Sequence, residues 1–258
     1  MDRRHLLLNA SMLPLWAGLH STHAAPATTS AIRIIMTPGQ PQAWVTLQII
    51  QALYRNINEA MYVDIVPLAR AATEMASGKI DGELIRVAPY FVDNPNVVKV
   101  EPAVFTAEAV VFSLAGRSAM VRNRDDLVHY SIAYQRGQVF AQELIENHPS
   151  VTTTQTSSQL IRMLQAGRVD LVLMHRINGQ YFVDRLGLRE LVEVSPVLMR
   201  NDYFHCLAKR HAPLAKRLGA AIMALKANGE LERIKSQAIA DLASQDIANF
   251  GGLPPPVN

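Results

Sequence analysis

Met75-Ala76-Ser77-Gly78-Lys79-Ile80-Asp81 and Leu164-Gln165-Ala166-Gly167-Arg168-Val169-Asp170 are one pattern written twice. In each copy helical residues run into a glycine, then a basic residue, then an apolar residue that opens a strand beside an Asp. Glycine suits a helix end because it turns the chain through the left-handed region without a Cβ clash. One copy describes any helix–glycine–strand join, but two copies with the same order, in two separate α/β units, predict two similar lobes. Following both copies forward, Arg86 and His175 occupy the same place, each near the carboxyl end of the strand after the join. Ligands of open α/β sheets bind at that end. Two polar residues facing one another across a cleft between lobes have the geometry of a clamp.

Outward from the first copy, Ile32-Arg33-Ile34-Ile35-Met36 reads as a buried strand broken by Thr37-Pro38-Gly39. From Ala43 to Ala60 the residues Trp44, Leu47, Ile50, Leu53, Tyr54 and Ile57 recur at helical spacing. Tyr62 to Leu68 reads as a second strand, Arg70 to Ser77 as a short helix and Ile80 to Val87 as a third strand. Such alternation predicts parallel strands with right-handed crossovers. Around the second copy the theme recurs. Helical stretches are expected over Asp125–Tyr130, Val139–Asn147 and Ser157–Ala166, and strands over Ser131–Gln135, Val151–Gln155, Val169–Met174 and Leu191–Val194. Tyr203 to Ala208 follows, then a long helical stretch from Pro213 to Ala240 with Leu214, Leu218, Ile222 and Leu225 on one face. Residues 251–258 read as a flexible tail.

The first residues read as a secretory signal. Asp2-Arg3-Arg4-His5 is a short basic start, Leu6 to Leu19 an apolar run broken by Pro14 and Gly18, and Thr22 and Ala24 are small residues placed for cleavage after Ala24. The apolar run falls short of the ~20 residues that a spanning helix needs. Arg3-Arg4 is compatible with a twin-arginine address as well as with ordinary export. The mature chain is therefore expected in the periplasm. The sequence has 258 residues with 25 Lys and Arg against 22 Asp and Glu, and no basic block interleaved with aromatics, so no nucleic-acid partner is expected. Cys206 is the only cysteine, which excludes an intramolecular disulfide and leaves stability to the core.

These stretches together resemble a known family. The leader and the paired joins are followed by Val100-Glu101-Pro102 running into Ala109-Val110-Val111-Phe112, and by Lys209-Arg210-His211-Ala212-Pro213-Leu214 before Leu231-Glu232-Arg233-Ile234. The chain is similar, over nearly all its mature length, to the extracellular solute-binding proteins of family 3, the type II periplasmic binding fold of ABC-type amino-acid uptake. The resemblance implies an α/β, two-lobed fold, each lobe a mainly parallel sheet flanked by helices, joined by a two-crossing hinge. It implies a signal peptide over 1–24, a discontinuous lobe 1 over 31–112 and 203–250, and a lobe 2 over 113–202. The implied function is capture of a small polar ligand by hinge closure and delivery to an ABC permease or a membrane sensor, by a monomer without cofactor.

The same resemblance, carried onto individual residues, singles out a ligand set. Arg86 stands nearest to the arginine that holds a ligand carboxylate in such proteins, and a guanidinium suits that task. The turn Arg136-Gly137-Gln138 opens a lobe 2 helix where free N–H groups suit an anion, so Gly137 and Gln138 are candidates. His175 falls near the place of the acid that grips an α-ammonium. His175 and Arg176 cannot replace a carboxylate, so the expected ligand shifts from an amino acid toward a carboxylate-bearing or anionic solute. Arg70 lies at the cleft edge or in an ion pair. Trp44 and Tyr90 line the cleft or pack in the core, and His175 itself is a ligand contact or a buried, hydrogen-bonded ring.

An enzyme on the same fold, a cyclohexadienyl or prephenate-type dehydratase, is the alternative. It would need a positioned acid or base, for which only His175 and Glu83 lie near the expected cleft. No HExxH, GxSxG or P-loop occurs, so the chain is expected not to be an enzyme. His129, His148, His175, His205 and His211 include no i,i+3 or i,i+4 pair, and no metal site is expected.

Overall fold

A computed structural model describes residues 31–245 and 247, except 38, 67 and 118. The expected signal peptide and tail lie outside the described residues. The first run of elements is β1 (Ile32–Met36), α1 (Pro41–Asn56), β2 (Met61–Ile65), α2 (Leu68–Ala76), β3 (Gly82–Val87), α3 (Ala88–Asp93), β4 (Val97–Lys99) and β5 (Phe105–Leu114). A 3-10 turn at Arg124–His129 leads to β6 (Ile132–Gln135), α4 (Val139–Leu144), β7 (Val151–Thr154), α5 (Ser157–Gln165), β8 (Leu171–His175), α6 (Arg176–Leu186) and β9 (Leu191–Glu193). The chain returns through β10 (Met199–Ala208), α7 (Ala212–Ala227) and α8 (Glu230–Leu242).

The strand order is β2-β1-β3-β10-β5-β8-β6-β7, with β4 added to β10 and β9 to β5. Pairing is parallel within β2-β1-β3 and within β8-β6-β7. It is antiparallel wherever β5 or β10 takes part. Two mainly parallel half-sheets are thus joined through the two chain passages that cross between them. β5 and β10 are longer than the buried stretches legible in the sequence. They pair with each other over Phe105–Ala109 and Met199–Tyr203, and β5 then passes to β8 from Ala109 onward.

Apolar faces close over each half-sheet. Against the first, α1 buries Trp44, Leu47, Ile50 and Leu53 among Leu207, Leu218 and Ile222. Against the second, Leu127, Phe140 and Leu144 pack on one side with Val111 and Leu173, while Leu160, Leu164 and Phe182 pack on the other with Phe112 and Val172. Helix α6 bridges the two. Tyr181 sits in the first core with Ile177 packed against it, and its hydroxyl donates to the Gln245 carbonyl at 3.0 Å and accepts the Ile247 N–H at 3.2 Å.

The two sequence joins fold identically. Gly78 and Gly167 both have φ +68. Each donates its N–H three residues back, to Met75 and Leu164 (3.1 and 3.0 Å), and the next residue reaches five back, Lys79 to Glu74 and Arg168 to Met163 (3.2 and 3.0 Å). Each is a Schellman helix end. Each Asp then pins the first strand of its half-sheet. Asp81 accepts the Arg33 N–H at 2.8 Å and Asp170 the Ser131 N–H at 2.8 Å, with return bonds from Asp81 N–H to Arg33 and from Asp170 N–H to Ser131. An arginine crosses each join, Arg210 donating to the Ile80 carbonyl and Arg117 to the Val169 carbonyl. The Arg33 N–H with the Arg210 and His211 side chains holds Asp81, and the Ser131 hydroxyl with its N–H holds Asp170, below the usual aspartate range against the cost of burial. The single helix expected from Pro213 to Ala240 is instead two. Asn228 ends α7 and Gly229, at φ +77, turns the chain into α8.

Candidate functional site

On the first half-sheet, the end of β3 builds a three-residue cluster. β3 is buried on both faces at its start, leaving Glu83 4% exposed, and the helix α3, started by Pro89, brings Tyr90 back over the strand end. Glu83 accepts the Tyr90 hydroxyl at 2.7 Å and is ion-paired to Arg86. The Arg86 guanidinium lies 4.6 Å from the Tyr90 ring centroid, close enough for a cation–π contact. Burial, then the carboxylate at its oxygen, pushes the Tyr90 phenol up. Arg86 is therefore committed to Glu83, although its Nε is buried without a partner. Ile35, Met36, Thr37, Ala43, Glu83 and Arg86 line a pocket here of about 40 Å³. A water needs about 10–15 Å³ on this measure, so the pocket holds a few waters and no amino-acid-sized solute.

On the second half-sheet, β8 ends in His175, which is 3% exposed and stacked on Phe140 (centroids 4.1 Å, planes 24° apart). The Tyr203 ring of β10 meets it edge-on at 5.9 Å. Burial pushes His175 down to about 3, so the ring is neutral near pH 7. Its Nε2 has no hydrogen-bond partner. The turn Gln135–Gln138 closes on a Gln138 N–H to Gln135 carbonyl bond of 3.3 Å, and Gly137 leaves open space where a side chain would project. Gln138 precedes α4 with a buried Oε1 that lacks a donor.

Near the strand ends, two further bonds link the halves. Gln40 Nε2 donates to Gln135 Oε1 at 3.2 Å, and the Gln42 N–H donates to Asn178 Oδ1 at 3.3 Å. Burial pushes the Tyr203 phenol up. Asn178 is 1% exposed, and its Nδ2 has no partner. Among the described residues five buried side-chain atoms are unpartnered: Arg86 Nε, Gln138 Oε1, His175 Nε2, Asn178 Nδ2 and Asn201 Oδ1.

Of the seven residues expected from the sequence, the structure brings Arg86 and Tyr90 into contact on one side, and puts Gly137, Gln138 and His175 on the other. Trp44 is in the first core. Arg70 is exposed and donates to Glu74 at 2.7 Å. Arg176, which follows His175, is held by Glu108 and by Glu193 at 2.8 Å, with Arg200 completing the group on Glu108 at 2.9 Å. Gln42, Asn178 and Tyr203 carry no signal in the sequence beyond polarity, except that Asn178 lies one helical turn after His175. Among the described residues no group of three or more His, Cys, Asp or Glu could hold a metal ion, and no helix is long and apolar enough to cross a membrane.

No family model matches the chain. A protein of Shewanella oneidensis described as uncharacterized is 27% identical over 187 residues, 69% of each chain. Among solved structures, the ligand-binding core of GluR0 in complex with L-glutamate is similar at TM-score 0.71 and 15% identity, covering 82% of this chain and 99% of that one. A histidine kinase sensor domain with similarity to periplasmic binding proteins has TM-score 0.66 at 16% identity, with coverages of 81% and 95%. Arginine-binding ArgBP from T. maritima in its holo form has TM-score 0.61 at 17% identity, with coverages of 76% and 90%. The fold is the two-lobed, type II periplasmic-binding-protein-like fold.

Proposed function

We propose that this chain is a periplasmic solute-binding domain that closes over a small polar, carboxylate-bearing or anionic ligand between its lobes. It hands the occupied state to an ABC-type permease or a membrane sensor. Lobe 1 comprises 31–112 and 203–250 and lobe 2 comprises 113–202, with the leader cleaved near Ala24. The observation that carries this reading is the set of buried, unpartnered polar atoms at matching strand ends of both half-sheets: Arg86 Nε on one side, His175 Nε2, Asn178 Nδ2 and Gln138 Oε1 on the other. Each such atom costs about 1–3 kcal/mol unless something bonds to it.

Binding rather than turnover is favoured by how the two candidate acid–base groups are held. Glu83 is engaged by both Arg86 and Tyr90, and His175 contacts two aromatic rings with no carboxylate to orient it. A dehydratase needs a group free to move a proton.

Native mass spectrometry of protein exported to a periplasm, before and after denaturing release, tests the reading. A released small molecule, with the same molecule raising Tm and emerging unchanged after incubation, is the expected result. Protein that carries nothing and is unmoved in Tm by amino acids, dicarboxylates and phosphate would overturn it. Chemical conversion of the added solute would move the enzyme alternative to the front.

A further inference from the structure

The N-termini of α1 and α6, helices of sixteen and eleven residues, meet where the halves touch. Neither helix has an acidic residue in its first turn, and neither Gln40 nor His175 caps its helix with a side-chain bond. Two positive dipole ends thus converge without a compensating carboxylate in either turn. Beside α6, Glu108 and Glu193 are each bound to Arg176, and Glu108 also to Arg200; beside α1, Glu83 shares a pocket with Ala43 and is bound to Arg86 and Tyr90.

Two side chains at this junction are more than nine-tenths buried with an idle nitrogen. Asn178 uses its Oδ1 to accept the Gln42 N–H, which fixes the amide orientation and leaves Nδ2 as a donor without an acceptor. His175, one turn earlier, has Nε2 unpartnered, with the Tyr203 ring edge-on to its own. Arg86, the obvious anchor for an anion, is already neutralised by Glu83.

We propose that the junction of the α1 and α6 N-termini is a subsite for one compact oxyanion, the carboxylate or an equally small oxyanion group of the captured solute, with Asn178 Nδ2 and His175 Nε2 as neutral donors. The subsite rests on the solute-capture reading above and assigns the anionic end of the ligand to this junction rather than to Arg86. At α1 only the dipole acts, since Pro41 has no N–H, the Gln42 N–H is given to Asn178 and the Ala43 N–H bonds the Gln40 carbonyl at 3.0 Å; the donors are the α6 end, Asn178 Nδ2 and His175 Nε2, which hold an anion without a counter-cation.

Trifluoroacetate, followed by 19F NMR line broadening, is the probe. The full mature protein is expected to bind it, with displacement by acetate or inorganic phosphate and not by acetamide. Tighter displacement by acetate marks a carboxylate subsite, and tighter displacement by phosphate a tetrahedral oxyanion; either supports the proposal. Asn178→Asp, which replaces the donor by a charge of the same size, is expected to weaken binding at least tenfold, and His175→Phe several-fold. His175→Phe serves alone if Asn178→Asp does not fold. Binding unchanged in a folded variant overturns the subsite. A wild-type protein that takes up neutral or zwitterionic solutes but no trifluoroacetate overturns the subsite and leaves solute capture standing. One that binds neither overturns both.

Discussion

Lowering the pH from 7 to 5 loads the unfolded chain with protons that the folded chain refuses, and His175 shows why. Its ring is 3% exposed between Phe140 and Tyr203, and burial holds its pKa at about 3 against 6.5 in the open chain. A folded-state pKa below the unfolded value means that the unfolded state binds the extra proton throughout that interval. Stability from this group is complete above pH 6.5 and falls as the pH drops toward 3. One pKa unit corresponds to about 1.4 kcal/mol, so the 1.5 units between 6.5 and pH 5 amount to about 2 kcal/mol. His205 is 1% exposed with its pKa pushed down to about 4, so it adds a loss of the same sign. His175→Phe isolates the first term, because Phe keeps the ring contacts and cannot titrate. In urea unfolding at pH 7 and pH 5, the wild type is expected to lose about 2 kcal/mol more than His175→Phe. An equal loss in both proteins, within the error of linear extrapolation, would refute the placement of a neutral, desolvated histidine at the end of β8.

Tyr54 donates to His205 Nε2 at 3.0 Å, since the other ring nitrogen donates to the Leu84 carbonyl at 2.9 Å. Tyr54→Phe therefore orphans a buried acceptor and is expected to cost about 1–3 kcal/mol in urea unfolding, without changing solute binding. Glu83→Gln removes the counter-charge of Arg86, and a loss of about 3 kcal/mol, visible as a lower Tm, is expected from breaking a buried pair on one side. A Cβ at Gly179 would stand 2.1 Å from the Phe112 ring. Gly179→Ala is expected to destabilise by about 1–3 kcal/mol through overpacking, with part of the loss recovered in the double variant that adds Phe112→Leu.

The sequence was most legible where a backbone requirement and a residue type coincide. Gly78 and Gly167 disclosed two lobes because a helix end that turns through positive φ leaves few options but glycine. Arg86, Tyr90 and His175 were legible as strand-end residues, since counting forward from the glycines needs no tertiary information. Trp44 was not separable, because a residue on an apolar helical stripe is equally a core residue, and that is where it lies. Arg70 has Glu74 one helical turn on, and that local pair takes it to the surface. β5 and β10 were not legible as strands over their full length because polar residues, Thr106 and Glu108 on one and Arg200 and Asp202 on the other, alternate along the half of each strand that crosses between lobes. Gln42 and Asn178 were out of reach for a different reason. They are 136 positions apart, and nothing local to either says that two helix ends will meet.

The twin joins have a bearing on how proteins of this shape are compared. Both stand at the amino ends of β3 and β8, where Asp81 and Asp170 fasten neighbouring strands, whereas Arg86 and His175 lie at the opposite ends. The stretches that disclose the two lobes are therefore the ones farthest from the proposed ligand end. Two proteins could share every residue of both joins and carry unrelated molecules. Under the proposed solute capture, grouping by cargo calls for a different ruler, laid across positions 42, 83, 86, 138, 175, 178 and 203, where a single exchange of donor for acceptor would change what the lobes close on.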